Sequence, residues 1–195
     1  MENLLDTELV ELAQRGEGPA FDELVARYQK KVTHLVYRYV NDTDVAMDLV
    51  QDIFFKIFRN LVNFKGQSKF SSWLFRIAVN DCVDHLRRLK VRKEHSLDRF
   101  REFGFDVPDM SEDSDVEDQL LTSETRERVR DALNCLPENQ RTVIVMKIYQ
   151  GMKFEEMAEI LSEPVSTVKS RLYKAFNTLG GLLRRQMFIE GGQMP

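Results

Sequence analysis

From Ala20 to Val40 the apolar side chains Phe21, Leu24, Val25, Tyr28, Val32, Leu35, Val36 and Tyr39 recur at spacings of three and four. At 3.6 residues per turn this pattern gathers them on one face of a long helix. A strand, with its period of two, would divide them between both faces. A helix of this kind must bury its stripe against other elements, and the flanking sequence offers more helices. Residues 4–15 read as a short amphipathic helix, and Gly16, Gly18 and Pro19 break the pattern. Asn41-Asp42-Thr43-Asp44 reads as a turn and N-cap cluster. A helix from about Val45 to Leu61 follows, then the loop NFKGQSKF with Gly66 as its pivot. The next helix is expected to be capped by Ser71 or Ser72 and to fade near Arg92. Few segments alternate with period two, and glycine is scarce, so the fold class predicted is all-α.

The net charge of −4 argues against an anionic partner only until its distribution is considered. Residues 1–92 hold 14 basic and 13 acidic side chains, residues 93–124 hold 3 and 11, and residues 125–195 hold 11 and 8. The acidity is concentrated in one short segment, so either flank can bind an anion. Residues 93–124 contain Gly and Pro and lack periodicity. They read as a self-repelling, mostly disordered, extended linker, with Phe100, Phe103 and Phe105 as transient docking points. The expected organisation is two small helical domains, 1–92 and 125–195, joined by this acidic flexible linker. In the second domain one helix runs from Thr125 to about Cys135. Another runs from Pro137, in its first turn, to Tyr149, and Gln150-Gly151 stops it.

The segment from Phe154 to Leu179 has the pattern of a helix-turn-helix. Phe154, Met157, Ala158 and Leu161 lie on one face of a short helix, and Ser162-Glu163-Pro164 makes the turn. The second helix sets Val165, Val168, Leu172, Ala175, Phe176 and Leu179 inward. Its outer face carries Ser166, Thr167, Lys169, Ser170, Arg171, Tyr173, Lys174 and Asn177. Residues 165–185 include five basic side chains and no acidic one, which suits a helix lying in the major groove of DNA. The plainer alternative is a helical hairpin with a solvated basic face.

A second cluster lies earlier. Phe64, Phe70, Trp73 and Phe75 are interleaved with Lys65, Lys69, Arg76, Arg87 and Arg88, and residues 65–93 hold eight basic and two acidic side chains. Aromatic platforms beside backbone-tracking cations suit single-stranded nucleic acid. Trp73, Ile77 and Val83 are expected in the core. In Asp48–Phe58, Val50, Phe54, Ile57 and Phe58 are expected inward, with Asp48, Gln51 and Asp52 on the opposite face, where spacing alone indicates only a solvated surface. His34, His85 and His95 are scattered, no phosphate-cradling glycine loop occurs, and no catalytic activity, metal, cofactor or small-molecule substrate is expected. Cys82 and Cys135 lie inside apolar patterns and read as inert core thiols in a reducing compartment. The N-terminus has no basic segment or long apolar run, so no signal peptide is expected. No apolar run approaches a membrane span, and a cytoplasmic location is expected.

Four motifs occur in order: D-x-x-Q-D-x-F (Asp48, Gln51, Asp52, Phe54), the run Phe64–Asn80, L-P-E-N-Q-R (Leu136–Arg141) and P-V-S-T-V-K-S-R (Pro164–Arg171). Together they closely resemble the extracytoplasmic-function (ECF) sigma factors of bacterial RNA polymerase, over about residues 18–185. The resemblance implies that Asp48, Gln51, Asp52 and Phe55 dock on the clamp helices of core polymerase. It implies that Phe64, Lys65, Gly66, Ser68, Lys69 and Phe70 hold a base flipped from the −10 non-template strand. Arg76, Asn80, Arg87 and Arg88 then engage that strand and the upstream duplex. Ser166, Thr167, Lys169, Ser170, Arg171, Tyr173 and Lys174 read the −35 element. Many members have Gly where this chain has Ser166, which changes the start of the recognition helix. The partners implied are core polymerase, promoter DNA and an anti-sigma factor, often membrane-anchored. Two other functions fit some of the same residues: a stand-alone DNA-binding regulator, and an adaptor that does not bind DNA.

Overall fold

The computed structural model of the chain describes residue 1 and residues 3–95 and 123–191. Among these, every regular element is helical: α1 (Asp6–Gln14), α2 (Gly18–Val40), α3 (Thr43–Leu61), α4 (Phe70–His95), α5 (Ser123–Asn134), α6 (Glu138–Ile144), α7 (Phe154–Leu161) and α8 (Val165–Gly191). A π-helical turn, Val145–Tyr149, continues α6. By their contacts the described residues fall into two units. One comprises α1 to α4 with residues 155–163, the other α5, α6, the π turn, Phe154 and α8. Of the segment expected as a linker, 93–95 close α4 and 123–124 open α5. The remainder, with Phe100, Phe103 and Phe105, lies outside the described residues.

Local chemistry sets the helix ends of the first unit. Asn41 adopts a left-handed conformation (φ 52°) and its N–H donates to the Tyr37 carbonyl at 2.8 Å, closing α2. Asp42 caps α3 by accepting from the Val45 N–H at 2.9 Å. Gly18 and Pro19 belong to the first turn of α2 and not to a break, because a missing N–H costs nothing there. Ser71 and Ser72 do not cap α4. The helix already begins at Phe70, and the Trp73 N–H donates to the Lys69 carbonyl at 3.1 Å.

The core of this unit is the expected stripe of α2 (Leu24, Val32, Leu35, Val36, Tyr39) packed on α3 and α4. From α3 come Leu49, Val50, Ile53, Ile57 and Leu61, and from α4 Phe70, Leu74, Phe75, Ala78, Val79 and Cys82. The inward face of α3 differs from expectation. Val50, Ile53 and Ile57 form the buried line, Phe54 is half-buried, and Phe58 is 57% exposed. Phe58 lies one residue past that line, and its ring makes a T-shaped pair with Phe21, with centroids 5.0 Å apart. Polar contacts tie α1 to this core. Arg27 donates to the Leu4 carbonyl (2.8 Å) and to Asp6 (3.1 Å), and the Tyr28 hydroxyl donates to Asp6. The Gln14 amide donates to the carbonyls of Leu61 and Phe64, both at 2.8 Å.

In the second unit α6 and the π turn bury Val143, Ile144, Val145 and Met146, with α6 packed on α8. The buried line of α8 is Val168, Leu172 and Ala175, whereas Phe176, expected inward, is 42% exposed beside that line. Pro137 stands at the N-cap of α6, one residue before the position expected. Gly151 takes φ +62°, which fits its role as a stop. Cys82 is buried, but Cys135 is exposed, because it follows the end of α5 instead of lying within it. In α7 the buried residues are Met157 and Ile160, while Ala158 and Leu161 are half-buried. Among the described residues no helix is long and apolar enough to cross a membrane.

Two outcomes follow for stability. Ile53→Ala is expected to cost about 2–5 kcal/mol through the cavity it leaves, and Phe58→Ala much less, because that ring is already largely in water. Urea midpoints check this, and equal losses would return Phe58 to the core. Burial first, then the Asp6 carboxylate on its hydroxyl, push the Tyr28 phenol well above its usual range. An acid whose folded pKa is raised contributes stability below its unfolded pKa of about 10. That contribution is lost as pH rises through the folded value. The wild-type urea midpoint should therefore fall from about pH 10 upward more steeply than that of Tyr28→Phe, and parallel curves would show that Tyr28 is not linked to stability.

Candidate functional site

The loop between α3 and α4 is held from both sides. Gly66 takes φ +66°, and nothing lies within 4 Å of a Cβ built there, so the requirement for glycine is conformational and not steric. Gln14 fixes the backbone at Phe64, as described above. The Phe64 ring rests against Trp73, centroids 4.9 Å apart, and 6.1 Å from Phe70. Phe70, expected on the strand-binding surface, is only 4% exposed, with Tyr28 at 5.6 Å and Trp73 at 5.9 Å. It packs against Phe64, Trp73 and Tyr28. Trp73 and Ile77, expected in the core, are half-buried and line an open groove of about 410 Å³ with Lys56, Asn60, Asn63, Asn80 and Asp81.

This groove brings together an indole, an aliphatic wall and three carboxamides. The Asn60 amide donates to the Lys56 carbonyl at 2.8 Å, which leaves its own oxygen as an acceptor. Along α4, Trp73, Ile77, Asn80, Asp84 and Arg87 follow at spacings of three and four, so the groove continues as a polar stripe. Lys65, Lys69, Asn80, Arg87 and Arg88 are exposed, and Ser68 is half-buried. Arg87 lies 3.6 Å from Asp84, and Arg88 Nε donates to the Asp84 carbonyl at 3.2 Å. Arg76 is placed differently. Within the first unit its guanidinium donates to the carbonyls of Ile160 (3.0 Å) and Glu159, and the Glu159 carboxylate accepts from the Ser72 hydroxyl (2.8 Å) and the Lys69 N–H (3.3 Å).

The opposite face of α3 carries Asp48, Gln51, Asp52 and Phe55, all exposed. Met47, Gln51, Phe55, Phe58 and Val62 are spaced by three and four residues, and four of these five are large apolar side chains more than half exposed. The Arg59 guanidinium sits 5.7 Å from the Phe55 ring centroid. A contiguous exposed apolar stripe with an acidic border is the kind of surface that proteins use for docking. Spacing alone concealed this stripe, because a helix apolar on most of its circumference reads as deeper in the core.

In the second unit Ser166, Lys169, Ser170, Tyr173 and Lys174 are exposed on α8, and Thr167 and Arg171 are half-buried. The Ser170 hydroxyl donates to the Thr167 carbonyl at 2.9 Å. The Lys169 and Lys147 ammonium groups stand 5.3 and 4.9 Å from the Phe154 ring centroid, so one aromatic ring holds two cations. Sequence reasoning did not single out Lys147, Phe154 as a ring beside two cations, or Lys56, Asn60 and Asn63 of the groove, and it expected Trp73, named among the aromatic platforms, and Ile77 in the core. A helical spacing count over Trp73, Ile77 and Asn80 could have found part of the groove, but not the α3 residues opposite.

Residues 24–92 match the family model for sigma-70 region 2, and residues 126–179 match that for sigma-70 region 4. The chain is 40% identical over 177 residues to the ECF RNA polymerase sigma-E factor of Haemophilus influenzae, covering 89% of this chain and 93% of that one. It is 36% identical over 172 residues to the RNA polymerase sigma-H factor of Pseudomonas aeruginosa, with coverages of 87% and 89%. Among solved structures it is similar to the sigma factor RpoE of Bartonella quintana, determined in complex with the anti-sigma factor NepR. The TM-score is 0.63 and the identity 26%, with 84% of this chain and 96% of that one covered. The chain therefore belongs to the ECF sigma factors of RNA polymerase, a non-enzymatic, DNA-binding class that acts in transcription initiation.

Proposed function

We propose that the exposed stripe of α3 docks on core RNA polymerase, that the Trp73–Asn80 groove captures bases of the melted −10 non-template strand, and that the outer face of α8 reads the −35 duplex. Residues 1–92 and 125–195 then work as two modules on one promoter, with the acidic segment 93–124 between them. The observation that carries this reading is the groove, where an aromatic wall and three carboxamides converge beside exposed Lys65 and Lys69. Unstacking a base costs a few kcal/mol, and stacking on an aromatic side chain returns roughly 1–3 kcal/mol per base. Capture can thus offset opening without chemical catalysis. Phe70 acts here by supporting Trp73 and Phe64 and not by touching the strand.

A partner like that of the Bartonella relative, an anti-sigma factor, is proposed to hold the chain away from polymerase. The chain acts in the cytoplasm, and a membrane-anchored anti-sigma factor would keep it at the inner face of the membrane. Transcription in vitro with bacterial core polymerase on a pool of promoter fragments tests the reading. Specific run-off products should require both components. Duplex binding by the chain alone, with no products, would instead favour a stand-alone regulator, and neither products nor binding would favour an adaptor.

The surfaces should also separate by mutation. Phe55→Ala, or Asp48→Ala with Gln51→Ala, is expected to weaken core association, by about 2 kcal/mol if Phe55 is an anchor. Unchanged affinity would make this face a solvated one. Lys169→Ala or Arg171→Ala should leave core binding intact and weaken −35 recognition, by about 1–3 kcal/mol where a base edge is lost. Filter binding with and without core polymerase distinguishes the two classes, and loss of core binding in the α8 variants would refute the assignment.

A further inference from the structure

Inside the groove one interaction is out of proportion to an ordinary surface ion pair. The Lys56 Nζ donates to both carboxylate oxygens of Asp81, at 2.7 and 2.8 Å. Asp81 is 8% exposed, yet the Lys56 side chain keeps 49% of its accessible area. A nearly buried carboxylate on α4 thus holds a cation of α3 that is otherwise free to move in water. An aspartate beneath a nucleic-acid groove opposes phosphate by its charge, so its presence there needs a reason beyond joining two helices that already pack through apolar residues.

We infer that Asp81 is a positioning residue that sets the selectivity of the groove for bases over phosphates. An ammonium group has three N–H donors. With two directed at Asp81, Lys56 presents one aimed donor to the groove and no uncompensated positive charge. Lys56 is the only cation among the described residues that line the groove. What remains is the Trp73 and Ile77 surface, that single donor, and the carboxamides of Asn60, Asn63 and Asn80. This set fits the ring and polar edge of a neutral heterocycle and offers little to a phosphodiester. Phosphate attraction is left to Lys65, Lys69, Arg87 and Arg88 outside the groove. The separation gives the strand a register, with backbone held on the rim and a base inside.

This inference rests on the −10 reading above, and its test keeps the two apart. The full chain, assembled with core polymerase, is titrated with labelled single-stranded dodecamers of each base and with an abasic deoxyribose-phosphate dodecamer, over a range of salt. The wild type should bind at least one base-bearing strand about tenfold more tightly than the abasic strand, the loss expected for one stacked base. Asp81→Asn releases Lys56. Binding of the abasic strand should then strengthen, its log K against log salt should steepen by about 0.7 for one added phosphate contact, and the preference for bases should shrink. The double variant Lys56→Met with Asp81→Asn, which removes both charges, should keep the wild-type slope on the abasic strand and lose part of the base preference. A pair that only joins α3 to α4 would lower thermal stability and leave slope and preference unmoved, which would overturn the inference. A shallower slope in the double variant would also overturn it, since Lys56 would already have been a phosphate contact. If the assembled wild type binds no base-bearing strand better than core polymerase alone, the −10 reading itself fails and takes the inference with it.

Discussion

α3 is gripped by only one narrow face, and the rest of the first unit depends on that constraint. Ile53 and Ile57 are fully buried, and α3 packs on both α2 and α4. Burying each of these side chains contributes roughly 1.5–3 kcal/mol. Because the line is so narrow, Phe55 and Phe58 are turned out to solvent although their neighbours in sequence are core. The same grip sets Lys56 and Asn60 opposite Trp73, Ile77 and Asn80 of α4, which creates the groove. One packing decision therefore generates two surfaces on opposite sides of one helix, an exposed apolar stripe and a polar groove.

Charge is divided along the chain in a way the net value hides. Basic side chains outnumber acidic ones eight to two over residues 65–93 and five to none over residues 165–185, whereas residues 93–124, between the two matched family regions, hold eleven acidic and three basic ones. Within the first unit Glu159 and the carbonyls of residues 159 and 160 occupy Arg76, Ser72 and the Lys69 N–H. Arg76 is thus engaged by protein rather than displayed. Lys65, Lys69, Arg87 and Arg88 are exposed, and long-range attraction by exposed cations is screened by salt over about 10 Å at 0.1 M. The electrostatic part of the proposed strand binding is accordingly expected to be salt-sensitive, and the stacking part much less so.

Much of this architecture could be read from spacing alone. The α2 stripe, the caps at Asn41 and Asp42, the stop at Gly151 and the two helices from Phe154 onward all follow from periodicity and turn chemistry. What escaped was rotational detail. A helix as apolar as α3 offers several candidate inner faces, and only its partners decide that Ile53 is in and Phe58 is out. The same ambiguity misplaced Phe176 on α8, and Trp73 and Ile77 on α4. Long-range polar contacts were also illegible. Gln14 to Phe64 and Lys56 to Asp81 join residues 50 and 25 positions apart, and no local pattern announces them. The resemblance to ECF sigma factors suggested a role for the α3 face that spacing could not, and it placed on the strand-binding surface Phe70, which packing buries.

The central claim is that the groove between α3 and α4 meets the non-template strand once the −10 region opens. Site-specific photocrosslinking measures this most directly. A photoreactive amino acid replaces Asn80 in the full chain, which is assembled with core polymerase on promoter DNA with each strand labelled in turn. The account predicts crosslinks confined to the non-template strand within the −10 element, and dependent on its opening. Crosslinks to the template strand, to closed duplex alone, or to polymerase in place of DNA would contradict it.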